Sequence, residues 1–250
     1  DGDVVTVSGT DASGCSSSSA GTTFTVEDAP AQPTISTASA TECLGTSVTL
    51  TASAAPNSGA YRWYKDGVLV GGATSQAIVL NTVAESGNYT VEVTDGNNTA
   101  VCYSTASAST TATINPLPNA GLSVTPSATA VCDGGSITFN IAGSQSGVNY
   151  QLFDESNTAI SAAVGGNGGN INISSDPFVF ATLGSSEVIT VRATNASTTC
   201  TDDLTDTETI TINQLPTVTL ADDDADDIIC SGTTVTFTAS GATNYQFFVN

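Results

Sequence analysis

The sequence predicts an all-β protein made of tandem β-sandwich modules, and three observations support this prediction. One cysteine-containing motif occurs three times along the chain. Thr, Ser, Ala, Val and Gly dominate the composition, and β-branched residues favour strands because they pack well on a pleated surface. Short segments of alternating polar and apolar residues recur about every 8 to 12 residues, which is typical of a β-sandwich.

The repeated motif reads Cys-x-Gly-x-x-[Val/Ile]-Thr-[Leu/Phe] and begins at Cys43, Cys132 and Cys230. The intervals are 89 residues (132 − 43) and 98 residues (230 − 132). The glycine is typical of a turn, and the alternation that follows is typical of a half-buried strand. Each copy therefore predicts the start of a module, with a turn that leads into a strand.

Two further features recur at matching positions. The first is a strand that is followed by a second cysteine, at Cys15, Cys102 and Cys200. The second is a last strand that runs into a proline, at Pro30, Pro118 and Pro216. These offsets divide the chain into four parts. We predict the C-terminal part of one repeat at residues 1–30, complete repeats at 31–116 (module 1) and 117–214 (module 2, with an insertion), and the N-terminal part of a further repeat at 215–250.

The chain begins and stops within modules, so we expect it to be an excerpt of a longer polypeptide that carries the export signal and the anchor elsewhere. The net charge is −21, with three basic residues among 250. Nucleic acid is not expected as a partner, because phosphate binding needs clustered Lys and Arg. No apolar run is long enough for direct membrane insertion of this segment.

Six cysteines occur without any histidine or methionine. Regularly placed cysteines without histidine favour disulfides over zinc, and disulfides indicate an oxidising, extracellular compartment. Pairing within each module, as Cys43–Cys102 and Cys132–Cys200, is the simplest arrangement. Linkage between modules, such as Cys15–Cys43 or Cys102–Cys132, is the alternative, and partners for Cys15 and Cys230 are not evident.

In module 1, the segment Trp63-Tyr-Lys-Asp-Gly67 and the segment Ser86-Gly-Asn-Tyr89-x-Val91 resemble two strands of immunoglobulin-like domains. The resemblance implies that Trp63 is the core tryptophan and Tyr89 the tyrosine of a tyrosine corner. Val91 stands where such a domain has a cysteine. We expect the core to contain Trp63, Tyr89, Val91, Val48 and Leu50.

The displaced cysteines, together with Pro-x-x-x-x-x-Cys-x-Gly-x-x-Val-Thr-Leu-Thr, resemble the tandem repeats of giant cell-surface adhesins of Bacteroidota. These include gliding-motility adhesins and similar proteins exported by type IX secretion. The resemblance covers the whole chain as repeats. It implies a location at the cell surface, attached to the outer membrane through other parts of the chain.

Module 2 departs from this pattern at two places. It has no tryptophan, and by the count back from its second cysteine Glu187 takes the position of Tyr89. The glycine-rich run at residues 165–169 is expected to be a flexible loop that holds the inserted residues.

One acidic run lies just beyond Pro216. Crowded carboxylates at a junction are suited to Ca²⁺, which prefers oxygen ligands. The alternative is a solvated, self-repelling loop. The candidate ligands are Asp222, Asp223, Asp224, Asp226 and Asp227. No other cofactor is expected.

Catalysis is not expected. Without histidine the chain cannot form a Ser-His or Cys-His nucleophile, and no phosphate-binding loop is present. An aromatic platform for sugars made by Trp63 and Tyr64 is the alternative to a core tryptophan beside an exposed tyrosine, but strand alternation places the two side chains on opposite faces.

The predicted function is that of a stalk or spacer in a secreted adhesin filament, for surface adhesion or gliding motility. Short proline-bearing linkers restrict the swing between modules, so we expect an extended, semi-rigid array. Two alternatives are a carbohydrate- or protein-binding module and a subunit of a strand-exchanged pilus or sheath. Expected partners are other repeats of the same chain, with extracellular polysaccharide or the surface motility machinery as further partners.

Overall fold

The computed structural model describes residues 2–248 and separates the chain into two units between Leu117 and Pro118. The division falls in the Pro-Leu-Pro segment that follows the last strand of module 1. The first unit contains the residues before module 1 and module 1 itself. The second unit contains module 2 and the residues after it.

Residues before module 1 form two antiparallel strand pairs whose side chains are exposed. The outer pair joins the first and fourth strands, and the inner pair joins the second and third. The strands are β1 (Asp3–Val5), β2 (Ser8–Thr10), β3 (Ser16–Ser18) and β4 (Thr22–Phe24).

Module 1 is a two-sheet sandwich. Its strands are β5 (Ile35–Ser36), β6 (Thr41–Cys43), β7 (Val48–Ala52), β8 (Tyr61–Lys65), β9 (Val68–Leu69), β10 (Ala77–Leu80), β11 (Gly87–Val93) and β12 (Thr110–Asn115), with 3-10 turns at Pro56–Ser58 and Val83–Glu85. One sheet has the order β10-β7-β5 and the other β6-β12-β11-β8-β9. All pairs are antiparallel except β6 with β12, which is parallel.

The Cys-x-Gly motif forms the predicted turn. In module 1 the Thr46 amide donates to the Cys43 carbonyl at 3.0 Å, and Gly45 has φ of 99°. This left-handed conformation strongly favours glycine. The same hydrogen bond and a positive-φ glycine recur after Cys132 and Cys230. The turn leads into β7, in which Val48, Leu50 and Ala52 are buried and Thr49 is exposed.

The core of module 1 lies between the two sheets and is centred on Trp63, which has no exposed surface. Its indole Nε1 donates to the Ser75 carbonyl at 2.9 Å, so the buried donor is satisfied. Val91 pairs in register with Trp63 across β8 and β11 and is also fully buried. Val48, Leu50 and Tyr89 pack in the same cluster.

The Tyr89 hydroxyl donates to the Glu85 carbonyl at 2.6 Å, which is the hydrogen bond of a tyrosine corner. We expect Tyr89→Phe to lower the free energy of unfolding of module 1 by about 1–2 kcal/mol, because the part-buried hydrogen bond to the Glu85 carbonyl is lost while the ring is kept. Urea denaturation measures this loss. Tyr103→Phe, whose hydroxyl is not in the core, is the control, and equal losses for both variants would contradict the corner's role.

Module 2 repeats the sandwich. Its elements are β13 (Val124–Pro126), β14 (Ala130–Cys132), β15 (Thr138–Ile141), β16 (Val148–Phe153), β17 (Val164–Gly165), β18 (Ile171–Ser174), α1 (Phe180–Leu183), β19 (Ser186–Asn195), β20 (Thr201–Asp203) and β21 (Glu208–Asn213). The sheets have the orders β13-β15-β18 and β14-β21-β19-β16-β17, with β20 paired to β19. Again the only parallel pair among the described strands of this module is β14 with β21.

The pairing registers correct the predicted position of Glu187. Leu152 pairs with Val191 in module 2 as Trp63 pairs with Val91 in module 1. Ile189, two residues before Val191, therefore takes the position of Tyr89. Counting from the cysteine gave Glu187 because the segment from the paired valine to the cysteine is 11 residues in module 1 (102 − 91) and 9 in module 2 (200 − 191).

The glycine-rich run of module 2 is packed rather than free. Gly165 ends β17, and the Ser144 hydroxyl donates to the Gly169 carbonyl at 2.6 Å. A Cβ at Gly166 would lie 2.2 Å from the Gln145 carbonyl oxygen. The inserted residues thus close against the loop before β16.

After module 2, β22 (Thr219–Asp222) and β23 (Phe237–Ser240) form an exposed antiparallel pair.

Candidate functional site at the module ends

Each module has a leading end, where the chain enters it, and a trailing end, where the chain leaves. In module 1 the β11–β12 loop lies at the leading end, because the Gln32 side-chain amide donates to the Ala106 carbonyl at 2.5 Å. The trailing end is marked by Asn115, the last residue of β12. The cysteines of the repeat lie at these two ends.

Cys43 and Cys102 lie at opposite ends of module 1. Cys43 pairs with Asn115, three residues (115 − 112) beyond the Ala112–Gly87 pair. Thr94, which bridges Tyr103 beside Cys102, lies seven residues (94 − 87) beyond that pair in the other direction. At a rise of about 3.3 Å per residue this separation is roughly 30 Å, whereas a disulfide needs Cα atoms within about 7 Å.

The predicted Cys43–Cys102 and Cys132–Cys200 bonds are therefore wrong for this structure. Cys102 and Cys132 are free thiols, while Cys43 and Cys200 are disulfide-bonded. Module 2 has the same geometry, because Cys132 pairs with Asn213 at its trailing end. Cys200 follows the far end of β19, where its carbonyl accepts from the Asn195 amide at 2.9 Å.

The leading end of module 1 binds the chain segment that precedes it. The Glu27 carboxylate accepts hydrogen bonds from the Thr99 amide, the Thr99 hydroxyl and the Ala100 amide, at 2.6–2.7 Å. The Asn98 side-chain amide donates to the Asp28 carbonyl at 2.9 Å. Cys102 completes the contact, with Sγ 3.7 Å from the Glu27 carbonyl oxygen. The segment is thus held against the β11–β12 loop by polar contacts.

These donors lower the pKa of Glu27, the Thr99 hydroxyl most of all and the two amides next. The contacts are therefore present above the ordinary pKa of a glutamate and are lost as the pH falls through the lowered value.

We expect Glu27→Gln to speed hydrogen exchange at the Thr99 and Ala100 amides, because the charged acceptor is lost. Asp28→Asn is the control, since only its backbone carbonyl takes part; unchanged exchange in Glu27→Gln would contradict the contact.

Arg62 lies on the outer face of the larger sheet of module 1 and is neutralised locally. Its guanidinium donates to Glu92 Oε2 at 2.6 and 3.0 Å, and the Tyr64 hydroxyl donates to the same oxygen at 3.0 Å. The guanidinium carbon lies 3.7 Å from the centroid of the Tyr103 ring. Hydrogen bonding to Glu92 raises the pKa of Arg62.

Arg192 of β19 is neutralised locally in module 2. Its Nε and Nη2 donate to the Asp203 carboxylate at 2.7 and 3.0 Å, and Nη2 also donates to Asn157 Oδ1 at 2.8 Å. The Phe153 ring centroid is 4.3 Å from the guanidinium carbon. Arg192 pairs in register with Gln151, which is the site where Arg62 pairs with Glu92. Arg192 therefore stands at the position of Glu92, and its ion pair joins β19 to β20 rather than to β16. Two of the three basic residues are thus used in ion pairs within their own module.

The aromatic sugar platform finds no support in these clusters. Trp63 is fully buried, and the Tyr64 hydroxyl is engaged by Glu92. The Tyr103 and Phe153 rings are covered on one face by guanidinium groups. The outer sheet faces therefore present ion pairs over rings rather than open aromatic surfaces.

The acidic run after Pro216 uses several of its carboxylates within the loop. Asp222 accepts from the Asp224 amide at 3.0 Å, Asp226 from the Ile228 amide at 3.2 Å, and Asp223 from the Thr236 amide at 2.8 Å. Hydrogen bonds from the backbone amide and the side chain of Thr236 lower the pKa of Asp223. Within residues 2–248, no three acidic, cysteine or histidine side chains are grouped as metal ligands. Asp222, Asp224 and Asp227 line one cavity, together with Ile229, Val235 and Phe237. Calcium binding by this run stays a prediction.

Comparison with known proteins finds a family match for module 1. Residues 30–116 match the family model described as "Ig-like domain CHU_C associated". Modules 1 and 2 are immunoglobulin-like β-sandwiches. The predicted fold class is confirmed. No curated protein matches the sequence.

Solved structures similar to the chain include the crystal structure of murine CEACAM1b, at 18% identity and a TM-score of 0.39. Another is the mouse coronavirus receptor-binding domain complexed with its murine receptor, at 17% identity and a TM-score of 0.41. Each alignment covers 73% of this chain and 100% of the other. Within residues 2–248, no helix combines the length and the apolar character needed to cross a bilayer.

Proposed function

We propose that the chain is a spacer segment of a secreted cell-surface adhesin, in which immunoglobulin-like modules hold an adhesive part of the protein away from the cell. The observation that carries the proposal is the pair of complete sandwiches with the same strand order, joined by a short proline-bearing segment. Each module closes its own core. The match of module 1 to an immunoglobulin-like family supports the same assignment.

The surface of the modules supports a spacer more than a binding role. The chain carries a net charge of −21, which keeps an exposed protein soluble and discourages non-specific adhesion. Its two arginines are paired with carboxylates of their own module. The contact between Glu27 and the β11–β12 loop restrains a segment that enters a module, which suits an array that has to keep its reach.

Surface export, adhesion and gliding motility enter the proposal through the resemblance to Bacteroidota adhesin repeats. Regular cysteines support an oxidising location. In this arrangement the partners are neighbouring modules of the same polypeptide. Contact with polysaccharide or with the motility machinery belongs to other parts of the adhesin.

Module exchange in the producing cell tests the proposal. Residues 31–116 are replaced by a second copy of residues 117–214 in the gene, which keeps the number of modules and replaces the surface of module 1 by that of module 2. A spacer predicts unchanged surface attachment at an unchanged amount of surface protein. Loss of attachment at the same surface amount would overturn the proposal and assign binding to module 1. The reverse exchange is the matched control.

A further inference from the structure

Module 2 buries one carboxylate on the core-facing side of a strand. Glu187 lies near the start of β19 and shares its buried face with Ile189 and Val191, and only 5% of its surface is exposed. Its Oε1 accepts a hydrogen bond from the Glu155 amide at 2.6 Å. A charged carboxylate in such a place is costly unless a basic group compensates for it. The groups around Glu187 therefore decide in which protonation state it is best buried.

The corresponding place in module 1 has the opposite charge beside it. Glu187 is equivalent to Gly87, because each pairs with the same position of the last strand of its module. A Cβ at Gly87 would lie 2.7 Å from Lys65 Cε, so a lysine lies beside this position in module 1. The registers of β8 with β11 and of β16 with β19 place Asp154 in module 2 where module 1 has Lys65. An acid has thus replaced the base.

No basic group is left to compensate Glu187 within residues 117–214, all of which the structure describes. Arg192 is the only basic residue in this range, and it is engaged by Asp203. The strands of the opposite sheet and α1 carry no acidic or basic side chain. The acidic groups on the strand and loop segments around them are Asp133, Asp154, Glu155, Asp176 and Glu208.

Burial is the largest cause that raises the pKa of Glu187. The hydrogen bond from the Glu155 amide opposes this change, and the charges of Glu155 and Asp154 add to it. A carboxyl group whose pKa is raised on folding destabilises the fold while it is charged. This cost is relieved as the pH falls through the raised value toward the ordinary one, so stability is gained on acidification above the ordinary pKa of a glutamate.

From the burial of this carboxylate among acids we propose that Glu187 is a proton-binding switch, which makes module 2 more stable relative to module 1 on mild acidification. Module 1 has no matching response in this range. The Asn81 and Thr82 amides lower the pKa of its Glu85, so that group responds only below the ordinary value. Weaker repulsion among the carboxylates of the acidic chain acts on both modules. The property belongs to module 2 and does not depend on a spacer role.

Calorimetry of the whole chain tests the proposal between about pH 8 and about pH 5, above the ordinary pKa of a glutamate. The fluorescence of Trp63, the single tryptophan, identifies the unfolding transition of module 1. We expect the Tm of module 2 to rise relative to that of module 1 as the pH falls. Each tenfold gain in the folding equilibrium should appear as roughly 5–10 °C in the Tm of a module of this size.

Glu187→Gln keeps a hydrogen-bond acceptor and removes the charge. It is expected to raise the Tm of module 2 at the upper end of the pH range and to abolish the relative rise on acidification. Glu208→Gln is the matched control, because Glu208 lies on the neighbouring strand and is less deeply buried than Glu187. This variant should retain the pH response of the unsubstituted chain.

Two results would overturn the proposal. One is a full pH response that persists in Glu187→Gln, and the other is a module 2 that loses stability relative to module 1 on acidification. Titration of the Glu187 side-chain carboxyl by NMR in the unsubstituted chain needs no variant to fold. A midpoint above the ordinary value of a glutamate is expected, and a midpoint at or below that value would equally refute the switch.

Discussion

Trp63→Ala is expected to lower the free energy of unfolding of module 1 by about 3–5 kcal/mol, the cost typical of removing a large buried aromatic side chain. The indole is fully buried between the sheets, and the truncation also leaves the Ser75 carbonyl without its donor. Module 2 has a separate core, so its transition should stay in place. Differential scanning calorimetry of the whole chain measures both transitions.

Val68→Ala is the control for this variant, because Val68 lies in the same sheet with 71% of its surface exposed. Its effect should stay within about 0.5 kcal/mol. Trp63→Phe retains part of the packing and should fall between the two. A loss of unfolding free energy below about 1 kcal/mol in Trp63→Ala would contradict the central place of Trp63 in the core. Equal shifts of both unfolding transitions would show that the two modules do not have separate cores.

Gly59→Ala is expected to destabilise module 1 by about 3 kcal/mol, at the upper end of the cost of overpacking. A Cβ at this position would lie 1.8 Å from the Thr94 carbonyl oxygen, which is backbone and cannot rotate away. The Ala60 amide donates to the Thr94 hydroxyl at 2.7 Å, and the Thr94 amide donates to the Ala60 carbonyl at 3.0 Å. The clash therefore breaks the contact between the β7–β8 loop and the end of β11.

Gly71→Ala is the matched control, because a Cβ at Gly71 meets no atom within 4 Å and its φ is not positive. It should change the free energy of unfolding by no more than about 1 kcal/mol. Urea denaturation of the two variants gives the comparison. Similar losses in both would mean that the close backbone approach at Gly59 does not limit stability.

Much of the fold could be predicted from the sequence because the repeat signals are local. The glycine of Cys-x-Gly marks a positive φ, and the alternation after it marks a strand with one buried face. Trp63 and Tyr89 could be placed because both have specific neighbours in sequence. These features depend on residues within a few positions of one another.

The cysteine pairing could not be predicted because it depends on which end of the sandwich each cysteine reaches. Sequence intervals show that Cys43 and Cys102 recur together, and a recurring pair suggests a bond within the module. Only the parallel pairing of β6 with β12 shows that they lie at opposite ends. The ion pairs of Arg62 and Arg192 could not be predicted for a related reason. Each arginine meets its carboxylate on a neighbouring strand, so the ion pair depends on the register between the two strands.

The parallel pairing of β6 with β12, and of β14 with β21, also has a consequence for an array under tension. In each pair, one strand lies early in its module and the other is the strand from which the chain leaves it. Pulling on the two ends of a module therefore slides one paired strand along the other, and their ladder of hydrogen bonds is loaded at once. An antiparallel hairpin pulled from its open end would instead release its bonds one after another. Tension on the two ends of a module would thus load these hydrogen bonds in shear.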